Sequence, residues 1–259
     1  MFHLTKRYLD AIDKDGNSWI LYFAHLKLGP FLFRYSSVLF SDAKGNVSEE
    51  SSLKSCSLPL IQDTININCN PLKISGTWKK TQNGICLILW NTNEGQELVW
   101  NCHHPSAQVE LTYKGKKFIA DGYAETLILP FNPLKLPLEK LRWGRFTSNN
   151  TSLVWILWEG KHPLNLVFMN GEEYNDAQHS DAGFSFDNGN WNLYFQHSIL
   201  IRNGKLGEVI RKYPLLKFLF PKNLLRSTEI KCKSLSELKS KDELYSNGWS
   251  IHETVTVLT

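Results

Sequence analysis

The sequence predicts an all-β protein of many short antiparallel strands gathered into sandwich or barrel units. Three observations carry this. Ala107, Val109, Leu111 and Tyr113 alternate with Gln108, Glu110, Thr112 and Lys114, the period of two that puts apolar side chains on one sheet face. Turn signals recur at short spacing, at Asp15-Gly16, Lys44-Gly45, Glu94-Gly95, Lys114-Gly115, Asn170-Gly171, Asn188-Gly189 and Asn203-Gly204. Each couples a glycine, which tolerates φ > 0, to a polar neighbour, as tight hairpins often require. Aromatic residues make up 12% of the chain, with nine Trp, and flat rings suit pleated, half-buried surfaces.

Element by element, residues 19–40 and 153–169 read as aromatic strand pairs, a faint echo that divides the chain into two related β units, 1–129 and 130–259. Pro130, Pro133 and Pro137 punctuate residues 129–138; proline has no amide proton for a ladder, so this is a crossing segment. Val209, Ile210, Tyr213, Leu216 and Leu219 fall near helical spacing, which predicts one short helix near the C-terminal end, against the resistance of Pro214. The polar Ser/Lys/Glu stretch 233–245 reads as a surface loop before a last strand at 249–258.

Composition narrows the function classes. The net charge of +4 is mild, and the nearest thing to a basic block is Lys114, Lys116 and Lys117, so no nucleic-acid partner is expected. No apolar run approaches the ~18 residues of a transmembrane helix. The first residues, Met1-Phe2-His3-Leu4-Thr5-Lys6-Arg7, lack the apolar stretch of a secretory signal. The five cysteines form no CxxC pair and read as reduced core residues. Together these readings place the protein in the cytoplasm. The usual serine-hydrolase elbow, Walker loop and dinucleotide fingerprint are all missing from the sequence.

Gly122-Tyr123-Ala124-Glu125 followed by Leu141-Arg142-Trp143-Gly144-Arg145-Phe146 resembles the hydroxyneurosporene synthase and AttH-like family, which includes carotenoid 1,2-hydratases and is related in fold to tocopherol cyclases. Trp100-Asn101-Cys102, Val154-Trp155-Ile156-Leu157-Trp158 and Gly248-Trp249 with His252-Glu253 support the likeness. The resemblance implies two lipocalin-like β-barrel units packed together, no cofactor, and an apolar small-molecule ligand of isoprenoid or polyketide type. It implies a hydratase or cyclase; the alternative is a lipocalin-like carrier that binds an apolar metabolite without chemistry. In a third reading the arginines and Trp143 simply join two β units.

Glu125 is the first candidate acid. On a strand over 119–129 it shares a face with Ile119, Asp121, Tyr123, Leu127 and Leu129, and desolvation there favours the protonated form that a proton donor needs. The competing reading is an arginine pair that joins two elements. Arg142 and Arg145, three apart, point to opposite faces unless Gly144 marks a bulge; either could pair with Glu125 or grip a substrate carboxylate or enolate. Tyr123, Asn101, Trp100, Trp143, Trp155 and His103 are candidate pocket groups, the Trp residues as walls. Glu253 alternates with Trp249, Ile251, Val255 and Val257 and reads either as a second site carboxylate or as an ion pair pinning the last strand. His103-His104 offers no set of metal ligands at the right spacing, so no metal is expected.

Overall fold

The computed structural model describes residues 2–54, 57–209, 222–241 and 243–257. It divides into two compact units, Met1–Lys135 and Leu136–Thr259, each a curled antiparallel half-barrel sheet. The proline-punctuated stretch carries the chain from one unit to the other.

In the first unit β1 (Phe2–Ile12), β2 (Ser18–Leu28), β3 (Phe31–Ser41) and β4 (Val47–Ser52) follow as successive hairpins. Then come β5 (Thr64–Cys69), β6 (Ile74–Lys80), β7 (Ile85–Asn91), β8 (Glu97–Tyr113) and β9 (Lys116–Leu129). The sheet order is β4-β3-β2-β1-β9-β8-β6-β5, with β7 also on β8. The second unit holds β10 (Lys140–Thr147), β11 (Ser152–Glu159), β12 (Leu164–Met169), β13 (Glu172–Tyr174), β14 (Gln178–Ser180), β15 (Gly183–Phe186), β16 (Trp191–Lys205), β17 (Thr228–Ser240) and β18 (Glu243–Thr256). Its order is β13-β12-β11-β10-β18-β17-β16-β15-β14. In both sheets the unit's first strand sits mid-sheet, beside its own hairpin partner on one side and the unit's last strand on the other. That is the structural form of the echo in the sequence.

The turn chemistry works as expected at most sites. Asp13 Oδ1 accepts from the amides of Asp15 and Asn17, and Asp42 Oδ1 from those of Lys44 and Asn46, Asx caps that hold two hairpins. Lys114-Gly115 and Asn170-Gly171 have both residues at positive φ, as two-residue hairpins of this hand require. Asn203-Gly204 is different: it lies inside β16.

Two other local expectations are corrected. Residues 233–240 belong to β17, with Lys233, Ser234 and Ser236 fully buried and Leu238 in the core. Small hydroxyls bonded to one another let this polar strand go inside: Ser236 donates to Ser250 at 2.8 Å. Cys69 is disulfide-bonded, while Cys86, Cys102 and Cys232 are free, so the cysteines are not all reduced; pairing follows spatial proximity rather than sequence spacing. The expected helix lies largely outside the described residues; α1 (Leu206–Val209) and α2 (Lys222–Arg226) flank that segment.

The first sheet's core gathers Leu9, Leu21, Trp19, Val38, Trp78 and Ala124 on one face, and the second's gathers Phe146, Leu153, Trp155, Val167, Phe184 and Leu238. Two glycines make room for the large rings. A Cβ on Gly144 would stand 2.6 Å from Trp155 Cε2 and 2.8 Å from His252 Cβ. One on Gly122 would meet the Asp10 carbonyl at 2.6 Å and Trp78 Nε1 at 2.8 Å. Gly144 is therefore a packing glycine and not a bulge: β10 keeps unbroken register with both neighbours. Register shifts occur instead in β8, between Cys102 and His104 and between His104 and Ala107, in β16, and in the β7–β8 and β17–β18 pairings.

Candidate functional site

Glu125 sits on the face of β9 opposite the core residue Ala124. Register sets its neighbours: Tyr8 of β1 lies opposite it on one side and Cys102 of β8 on the other, while Asp10 lies opposite Tyr123. Two Tyr-x-acid segments, Tyr8-Leu9-Asp10 and Tyr123-Ala124-Glu125, thus cross antiparallel with their phenols and carboxylates interleaved. All five of these polar side chains are buried, Glu125 at 7% exposure and Tyr123, Asp10 and Cys102 at 0%.

The carboxylate is held by neutral donors. Trp100 Nε1 donates to Glu125 Oε2 at 2.5 Å and the Tyr123 hydroxyl to the same oxygen at 2.7 Å. Tyr8 donates to Asp10 Oδ2 at 2.9 Å, and its ring meets Tyr123 edge-on at 6.0 Å. Burial, then the charges of Cys102 and Glu125, pushes the Tyr123 phenol well above its ordinary pKa. Burial likewise pushes the Cys102 thiol up. Both therefore keep their protons at neutral pH, and the Tyr123 phenol serves as a donor to Glu125. Of the sequence candidates, Glu125, Tyr123 and Trp100 come together. Tyr8, Asp10 and Cys102 were missed, although the repeated Tyr-x-acid spacing on two strands was there to be read.

Asn101 and His103 lie on the other face of the same sheet. Asn101 is opposite Thr126, and His103, the extra residue of the β8 bulge, hydrogen-bonds Thr126 Oγ1 at 2.9 Å. They line a cavity of about 330 Å³ with Gln62, Lys80 and His104. Burial, then His104 and Arg7, lowers His103 to about 4, so it is neutral at pH 7. His104 Nε2 lies 3.0 Å from the Gln62 carbonyl, which can only accept, so Nε2 carries the proton. Among the described residues no His, Cys, Asp and Glu group is arranged to hold a metal ion.

The second unit holds the remaining candidates. Arg142 and Arg145 point to opposite faces of the unbroken β10. Arg142 pairs with Glu159 of β11. Arg145 is fully buried and donates to Thr147 Oγ1 and the Trp249 carbonyl, each at 3.3 Å. Trp143 is buried on Arg145's side of the strand, beside Glu253 of β18. Trp155 is core, 5.0 Å from the Phe184 ring. Glu253 pairs with the buried Lys231 of β17, which also binds Glu229 at 2.9 Å. Burial works to raise Glu229, but Lys231 and then Arg202 outweigh it and hold that carboxyl at about 2. His252, on the opposite face, stacks on Phe195 at 4.0 Å and bonds Ser234 Oγ at 2.8 Å.

No protein-family model matches the sequence, and no curated protein does. Solved structures do match over nearly the whole chain. CghA with Sch210972 is 10% identical with a TM-score of 0.63, covering 99% of this chain and 89% of that one. Kievitone hydratase from Nectria haematococca is 10% identical with a TM-score of 0.58, covering 98% and 88%. A candidate AttH from Nitrosomonas europaea is 9% identical with a TM-score of 0.55, covering 100% and 93%. The chain has the AttH-like fold. The architecture that the short motifs implied is thus borne out at the level of fold, and no described helix is long and apolar enough to cross a membrane.

Proposed function

We propose that the protein is a cofactor-independent enzyme of the hydratase or cyclase type, acting on an apolar isoprenoid- or polyketide-like molecule with Glu125 as the acid/base. The observation that carries this is a buried carboxyl group to which two neutral donors, Trp100 and Tyr123, both hydrogen-bond. Burial of a carboxyl favours its protonated form, the form that delivers a proton to an alkene or enone carbon. The conjugate carboxylate then takes a proton back from the attacking water in a hydration, or from the carbon skeleton in a cyclisation. Trp100 and Tyr123 fix the orientation of the carboxyl and stabilise its anion once the proton has left. The fold shared with a kievitone hydratase is consistent with such chemistry.

The test is to incubate the protein with a panel of terpenoid and polyketide alkenes and enones, followed by mass spectrometry. Products that gain one water, or that cyclise at constant mass, are expected from the wild type. Glu125→Gln keeps the shape and hydrogen bonds but carries no transferable proton; turnover should fall by about 10²–10⁴-fold with ligand binding retained. Full turnover in that variant removes Glu125 from the mechanism. Tight binding of an apolar ligand that is never converted by the wild type makes the protein a carrier.

A further inference from the structure

We propose that the inner face of the first half-barrel carries an oxyanion-binding site, built on Arg7 with His25, Arg34 and the Thr126–His103 pair around it. It lies on the sheet face opposite Glu125 and does not depend on the role proposed for that residue.

Strand register assembles the site. One row across the sheet runs Ser36, Phe23, Arg7, Thr126 and Asn101; the next toward the strand ends holds Arg34, His25 and Thr5. Directly opposed residues in antiparallel strands share a face, so these groups look onto one surface. The row on the other side, Val38, Leu21, Leu9 and Ala124, belongs to the apolar core. The inner face therefore passes from a packed floor to a basic rim within two residues along each strand. His103 is brought onto this face by the β8 bulge and anchored to Thr126.

The charges on this surface lack counter-charges. Among the described residues Arg7 and Arg34 make no ion pair, and Arg7 Nε and His25 Nε2 are buried without a hydrogen-bond partner. The charges acting on His25 are those of Arg34 and Arg7, and on His103 those of His104 and Arg7, all of one sign. Other cations of the protein do have acidic partners: Lys80 pairs with Asp63 at 2.6 Å, Lys114 with Glu50 at 2.5 Å, and Lys231 with two glutamates. A half-buried guanidinium with a buried, unsatisfied N–H is costly. Its planar fork matches the two oxygens of a carboxylate or phosphate, and the hydrogen-bonded His103–Thr126 pair leaves one further donor between its two members. At the edge of this surface Asn101 and His103 also line a cavity whose wall includes Lys80 and its partner Asp63.

The experiment is calorimetric titration of the wild-type protein with inorganic phosphate, octanoate and octanol. At least one of the two anions should bind at a single site. Phosphate binding alone identifies a free inorganic oxyanion as the ligand chemistry, and tighter octanoate binding identifies a carboxylate on an apolar body. Arg7→Gln should weaken that binding by roughly tenfold or more, and Arg34→Gln by a few-fold. Circular dichroism checks that Arg7→Gln folds; should it not, the exposed Arg34→Gln carries the test. Imidazole NMR adds a readout of place: bound anion should raise the pKa of His25 and His103, because negative charge favours their protonated forms. Silence from both anions, octanol binding as tightly as octanoate, or affinity unchanged in the arginine variants would each overturn the proposal.

Discussion

Glu125 and Glu253 occupy the same place in two sheets of closely similar strand order. Each lies in its unit's last strand, opposite an aromatic residue of the unit's first strand: Tyr8 for Glu125, Trp143 for Glu253. The difference comes from the strand on the other side. There β8 offers Cys102 to Glu125, and β17 offers Lys231 to Glu253. In the second unit the carboxylate meets a fixed positive charge and becomes part of a buried Glu229–Lys231–Glu253 set that ties β17 to β18. In the first, its close partners are an indole and a phenol that keep their protons. A carboxylate locked by a lysine holds strands together. The proposed role of Glu125 as acid/base rests on its indole and phenol donors, which orient the carboxyl group.

The largest effect that should mark this difference is Lys231→Met. Removing one member of a buried ionic set leaves the other charges uncompensated, at a cost of about 3–5 kcal/mol, read as a drop in the urea midpoint. Glu125→Gln should cost about 1 kcal/mol or less, because its neutral donors can serve an amide oxygen equally well. Equal losses in the two variants would erase the distinction. Next comes Gly144→Ala, which forces a methyl group against Trp155 and His252 and should cost about 3 kcal/mol by overpacking; a thermal melt reads it directly.

The histidines sharpen the comparison by pH. Burial, then His179, lowers His252 in the second sheet to about 4, below its unfolded value of about 6.5. The unfolded chain then binds more protons, so this stability is complete above about pH 6.5 and fades as pH falls toward 4. Urea titrations at pH 7.5 and pH 5 should show a loss of about 2 kcal/mol from this group, absent in His252→Gln. His103, less deeply buried in the first sheet, should contribute less by the same measurement. Among the smaller effects is Tyr123→Phe, which deletes one neutral bond to Glu125 and should cost about 1 kcal/mol.

Much of this was legible before folding. Period-two alternation marked Ala107 to Tyr113 as a half-buried strand, and the glycine turns marked most hairpins, because both signals are local. Glu125, Tyr123 and Trp100 were found as candidates, and alternation on a regular strand sent Arg142 and Arg145 to opposite faces, as β10 does. The strand at 233–240 was hidden because its buried face is serine and lysine, whose burial depends on partners that residue type does not reveal. Gly144 suggested a bulge because a glycine within a strand has two uses, and only the ring of Trp155 across it chooses between them.

The sequence by itself determined an all-β chain, a division into two β units, and a carboxylate among apolar neighbours at Glu125. Strand register decided the rest: that Tyr8 and Asp10 join Glu125, that a lysine neutralises Glu253, and that Arg7, His25 and Arg34 share one inner face. Side-chain alternation is fixed along a single strand, whereas the residue lying opposite is fixed only when two strands pair. Both proposed sites are built from such cross-strand neighbours.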